Sequence, residues 1–113
     1  MSLIYKILPR AEWEAARANG HFEGSAVDRA DGYIHFSTAE QAQETARRHF
    51  HGQAALVVLA VKADDLGAAL RWEPSRGGAL FPHLYGALDA TKVRAVSEAP
   101  LDVDGVPNLG DLT

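Results

Sequence analysis

Cysteine is absent from this 113-residue chain. That excludes disulfides, thiolate catalysis, iron–sulfur clusters and cysteine-built zinc sites. Lysine is scarce: three residues, against eight arginines and fifteen acidic side chains, give a formal net charge of −4. A polymer of phosphates is held through many Lys and Arg contacts, so nucleic acid is disfavoured as a partner, while one local arginine still suffices for a single phosphate. Long apolar runs are missing too. The longest, Ala54 to Val61, is far too short to cross a bilayer. Met1 to Lys6 lacks the basic-then-apolar layout of a secretory leader. These absences lead us to expect a cytoplasmic protein with no membrane partner.

What is present suits one globular domain over residues 1–113. Ordering such a chain costs on the order of 170 kcal/mol of conformational entropy. An apolar content of 47% is enough to oppose it. Leu3 to Leu8 reads as a strand with a single lysine in it. Pro9 is placed as a first helical residue, and Arg10 to Ala18 reads as a helix that Asn19-Gly20 ends. A loop containing Gly24, Ser25 and Asp31-Gly32 is expected next. Tyr33 to Ser37 alternates as a strand, with Ile34 and Phe36 on one face and Tyr33, His35 and Ser37 on the other. Ser37 with Glu40, or Thr38 with Gln41, forms a capping box for a helix from about Ala39 to Phe50. Ala54 to Lys62 is apolar on both sides and reads as a central strand.

Leu70 to Glu73 reads as a short strand that Pro74 stops. Ser75 to Gly78 reads as a tight loop. Ala79 to Leu88 contains Pro82, which cannot donate to a ladder, so this segment is expected at a sheet edge or irregular. Lys92 to Ser97 reads as the last strand, and the acidic tail after about residue 101 is expected to pack loosely. Helices come early and strands late, which points to an α+β fold with a mixed or antiparallel sheet.

Two segments carry unusual side chains. Tyr33, His35 and Ser37 put a ring, an imidazole and a hydroxyl on one strand face. His83 and Tyr85 repeat an imidazole and a phenol two residues apart. Two such surfaces meeting across a cleft would clamp a flat heteroaromatic ring between tyrosines, with the histidines bonding sugar or phosphate oxygens. Ordinary half-buried strand residues are the plainer account of each segment alone. Arg76 with Gly77 and Gly78 offers a fork of donors and adjacent backbone N–H groups suited to phosphate, though a plain hairpin turn is the readier explanation of the glycines. Glu73 beside that loop, or Glu98 near the end of the last strand, is a carboxylate able to steady positive charge. His49 and His51 diverge on a helix and leave no metal site. Nucleophile-elbow and Rossmann signatures are missing.

Asp31 to Gln41, Trp72-Glu73, Arg76 to Gly78 and Leu80 to Gly86 together resemble a bacterial family known as domain of unknown function 952, with the likeness running from Ile4 to about Leu101. Beside the two early helices already read from the residues, the resemblance implies an ADP-ribosyltransferase-like split sheet with NAD in its cleft. It implies that His35, with Ser37 and Thr38, contacts the ADP-ribose half, and that Tyr33 or Tyr85 stacks on nicotinamide. The superfamily's late-strand glutamate has no motif-level match; Glu73 and Glu98 correspond by position only. The expected function is therefore binding of, or action on, NAD or an ADP-ribose-like nucleotide. His35 and Glu73 are its candidate catalytic residues, and Tyr33, Ser37, Thr38, Arg76, Gly77, His83 and Tyr85 its ligand contacts. The alternatives are a non-catalytic binding module for a phosphate-bearing small molecule, and a scaffold without activity.

Overall fold

The structure, a computed structural model, describes residues 2–112. Strand β1 (Leu3–Pro9) leads into helix α1 (Arg10–Asn19). Pro9 does not open the helix: its ψ of 140° keeps it extended, so it closes β1 and the helix starts one residue later. Gly20 ends α1 in the left-handed conformation, φ 93°, and its N–H caps the Ala16 carbonyl.

The expected loop after α1 contains two elements of its own. They are β2 (His21–Phe22) and helix α2 (Ala26–Asp31). Next come β3 (Ile34–His35), α3 (Ala39–His49), β4 (Leu56–Lys62), β5 (Leu70–Pro74), β6 (Leu80–Leu84), β7 (Leu88–Asp89) and β8 (Val93–Glu98). Short 3₁₀ turns cover Ala63–Ala69, Arg76–Gly78 and Ala90–Lys92. The last of these takes Lys92 out of the expected final strand.

The strands form three antiparallel sheets, ordered β1-β4-β8, β2-β7 and β3-β6-β5. The α+β class with antiparallel pairing is as expected. Strand β4 is central and buried on both faces. Val57, Leu59 and Val61 join Ile4, Leu8, Trp13, Phe22, Ile34 and Phe36 in one core. Leu56, Val58 and Ala60 join Tyr5, Ile7, Ala42 and Ala46 in a second, beneath α3. Alternation along β1 therefore sends Ile4, Lys6 and Leu8 one way and Tyr5 and Ile7 the other.

Strand β6 is a correction. It is the middle strand of its sheet, although Pro82 suggested an edge. The Pro82 carbonyl accepts from Phe36 N–H at 3.0 Å. Its nitrogen faces the same side and has no N–H to return that bond, so the β3–β6 ladder stops after His35–His83 while the pairing with β5 continues past Pro82.

Residues 33–37 belong to both large sheets. Ile34 and His35 pair with Leu84 and His83 of β6, while Ser37 exchanges two backbone bonds with Tyr5 of β1, at 2.8 and 2.9 Å. Helix α3 is fixed by Thr38, whose hydroxyl accepts from Gln41 N–H as the Gln41 carboxamide accepts from Thr38 N–H. Of the two capping boxes that the sequence allows, this is the one formed. The segment after Leu101 returns across α3, burying Pro107 and Leu109. The Gln43 carboxamide holds it, donating to the Pro107 carbonyl at 2.8 Å and accepting from Leu109 N–H at 3.1 Å. An acidic, turn-rich composition did not signal that docking.

Candidate functional site: a cleft along the open edge of β1

A cleft of about 610 Å³ runs past Tyr5, Lys6 and Ile7, on the side of β1 that β4 leaves uncovered. Glu12 of α1, Val27 of α2, and Thr45 and His49 of α3 line it as well. Tyr33, His35, Ser37, Arg76 and His83 also line it. That volume is in the range of small-ligand sites.

The two imidazole-and-phenol segments come together, but not as opposite walls. They are neighbours in one sheet, with His35 in register with His83. The rings form one cluster: Tyr33 stacks on His83 at 4.1 Å and 26°, lies 4.6 Å from His35 and 5.2 Å from Tyr85, and the two imidazoles sit edge to face at 5.7 Å. Tyr33 is thus already stacked on a side chain of the protein. Tyr85 is 38% exposed, beyond the cleft lining, with the Arg71 guanidinium 5.0 Å above its ring.

Each histidine is oriented by a carboxylate. His35 Nδ1 lies 2.6 Å from Asp28 Oδ1, and His35 Nε2 lies 2.9 Å from Asp31 Oδ2. His83 Nδ1 lies 2.7 Å from Glu73 Oε1, which also accepts from the Tyr85 hydroxyl at 2.7 Å. The bonds from His83 and then Tyr85 hold the Glu73 carboxyl below its ordinary range, and the bond to Glu73 raises the Tyr85 phenol. Burial, with the charges of Asp31 and Glu73, raises Tyr33.

Asp28 is the hub that the sequence reading missed. It is 1% exposed and accepts from Lys6 Nζ at 2.8 and 3.0 Å, Ser25 N–H at 2.8 Å and His35 N–H at 3.1 Å. Burial alone pushes its carboxyl up; the bonds from His35 and Lys6 overcome that and hold it at about 2. Lys6 is buried beside it, and burial pushes its ammonium down against the pull of Asp28. Gly24 permits the close turn here, because a side chain at its φ of 110° would place Cβ 2.9 Å from Asp28 Cβ. Two signals were available: a lone lysine on the apolar face of β1, and the Ser25-x-x-Asp28 capping pattern.

The remaining candidates divide. Ser37 is buried, with Oγ 3.1 Å from Thr45 Oγ1. Arg76 donates through Nη1 to Thr45 Oγ1 at 3.2 Å and lies 5.0 Å over the Phe81 ring. Thr38 caps α3, and neither it nor Gly77 lines the cleft. The loop around Gly77 closes on itself, with Gly78 N–H donating to the Ser75 carbonyl at 2.8 Å and Ser75 N–H to the Ala79 carbonyl at 2.9 Å. Glu98 pairs with Arg10 on the exposed end of β8, away from the histidines. Among the described residues no group of three or more His, Asp or Glu is arranged for a metal ion, and no helix is long and apolar enough to cross a membrane.

Residues 7–96 match the family described as protein of unknown function, DUF952, and the chain belongs to that family. It is similar to protein CC0527 from Caulobacter crescentus. The crystal structure of that protein is 64% identical with a TM-score of 0.95, covering 97% of this chain and 96% of the other. Its solution NMR structure is 64% identical with a TM-score of 0.88, covering 98% and 96%. No curated protein matches the chain.

Proposed function

We propose that the cleft binds a nucleotide of the NAD or ADP-ribose kind, in the cytoplasm, within a fold of the ADP-ribosyltransferase-like type. The observation that carries this reading is the in-register His35–His83 pair, stacked with Tyr33 at the edge of a cleft of about 610 Å³. Polar rings at the margin of the hollow suit a ribose or base, and Arg76, which also lines it, suits phosphate. Of the two candidate acids, Glu73 is the one bonded to a histidine of this pair, His83.

Binding without turnover is the second reading, and one observation favours it. Both ring nitrogens of His35 are already engaged by Asp28 and Asp31, which suits His35 to shaping the site rather than to reacting.

Calorimetric titration with NAD and with ADP-ribose tests the proposal, joined to chromatography for released nicotinamide. We expect saturable heats, with Arg76→Ala and His83→Ala each weakening affinity about tenfold, or ~1.4 kcal/mol. Flat titrations with both nucleotides overturn the reading. Saturable heats without nicotinamide select the non-catalytic form.

A further inference from the structure

His83 is only 3% exposed, yet one of its ring nitrogens is unused. Nδ1 is committed to Glu73 at 2.7 Å. An ionised carboxylate only accepts, so Nδ1 carries the proton and, in the neutral ring, Nε2 presents a lone pair. Nε2 has no hydrogen-bond partner among the described residues. No unpartnered side-chain nitrogen is sealed from solvent among the described residues, so Nε2 touches solvent, and His83 lines the cleft. Tyr33, stacked on the ring at 4.1 Å, fixes its plane. His35, the other imidazole of the pair, has no open nitrogen. Glu73 itself is outside the cleft lining.

We propose that His83 is the proton-transfer group of the cleft, accepting a proton at Nε2 from a water or hydroxyl bound there, with Glu73 as its positioning residue. The identity of the ligand rests on the nucleotide reading; the open Nε2 does not. With water and NAD the step balances as a hydrolysis. The O–H bond breaks as Nε2–H forms, the oxygen's electron pair bonds to the anomeric carbon, and the C–N bond breaks with its pair leaving on nicotinamide. Nicotinamide departs neutral, so the proton on Nε2 passes to solvent and no redox partner is needed. Alignment of an imidazole by a carboxylate is the usual way to ready it as a base.

The test uses the whole protein and diethyl pyrocarbonate, which acylates unprotonated imidazole nitrogen, with labelled peptides identified by mass spectrometry. We expect His83 to be labelled within about tenfold of the rate of exposed His21, despite its burial. Glu73→Gln should slow labelling of His83 about tenfold, and Tyr85→Phe, which keeps the His83–Glu73 bond but removes the other bond to Glu73 Oε1, should slow it less. Nitrogen-15 NMR should show His83 protonated on Nδ1 in the neutral ring, and a mixture of tautomers in Glu73→Gln. A His83 that resists the reagent while His21 reacts, or a neutral ring protonated on Nε2, overturns the proposal. Labelling of His83 that saturating NAD does not suppress supports the open nitrogen and tells against the nucleotide.

Discussion

His35 and His83 face each other on adjacent strands, and each turns Nδ1 to a carboxylate, Asp28 at 2.6 Å and Glu73 at 2.7 Å. The resemblance ends at burial. Asp28 is sealed in with an ion-paired lysine, whereas the Glu73 side chain is a third exposed. Similar hydrogen bonds therefore answer differently to mutation: one carboxylate supports the fold, the other tunes a ring at the cleft.

Asp28→Asn removes the charge that Lys6 faces and leaves a buried ammonium without a counter-ion. Breaking such a pair from one side costs about 3–5 kcal/mol. Urea denaturation should show a loss of that size. The double variant Lys6→Met with Asp28→Asn should lose less than the two single losses added together. Additive losses would show that the pair is not coupled.

Asp28 also sets an acid limit. Its folded carboxyl titrates at about 2, below the ordinary 3.8. A depressed carboxyl contributes stability that is fully present above the unfolded value and is lost as pH falls through the folded one. The contribution is roughly 2 kcal/mol. Stability measured from pH 6 to pH 2 should decline mainly below pH 4, and Asp28→Asn should flatten that decline.

Thr38→Ala deletes the hydroxyl that caps α3 while leaving the cleft lining intact. A loss of about 1 kcal/mol is expected from the cap. Nucleotide affinity, measured by the calorimetry above, should stay within twofold of wild type. A large fall in affinity would return Thr38 to the ligand contacts.

Leu109→Ala tests the docked tail. Leu109 is buried in the core beneath α3, and truncating a buried leucine costs about 2–5 kcal/mol. Thermal unfolding should show the loss as a lower Tm. An unchanged Tm would mean that the tail adds nothing to the core.

Legibility followed the range of the interactions. The Thr38–Gln41 cap, the Gly20 stop and the two-sided apolar pattern of β4 are written in neighbouring residues, and they appear where the sequence placed them. Pro82 was misread because its tolerance depends on where a different strand ends. The tail was misread because one glutamine on α3 fastens it. At the site, the polar faces of residues 33–37 and 83–85 were visible as faces. Their becoming neighbours rather than opposing walls depends on strand pairing between distant segments, which local alternation does not encode. Lys6 was seen as a lone charge, but its partner Asp28 lay in a stretch read as loop.

The five residues from Tyr33 to Ser37 act as a rivet between the two larger sheets, bonded to β6 at one end and to β1 at the other. Swinging those sheets apart would shear the two backbone bonds to Tyr5 and the bond from Phe36 to Pro82. Those bonds brace the floor under any occupant, and accommodation falls to the turns flanking α2, which Asp28 itself pins to Lys6 and His35. Amide exchange there, around residues 24–32, should register the arrival of a guest before the strands do.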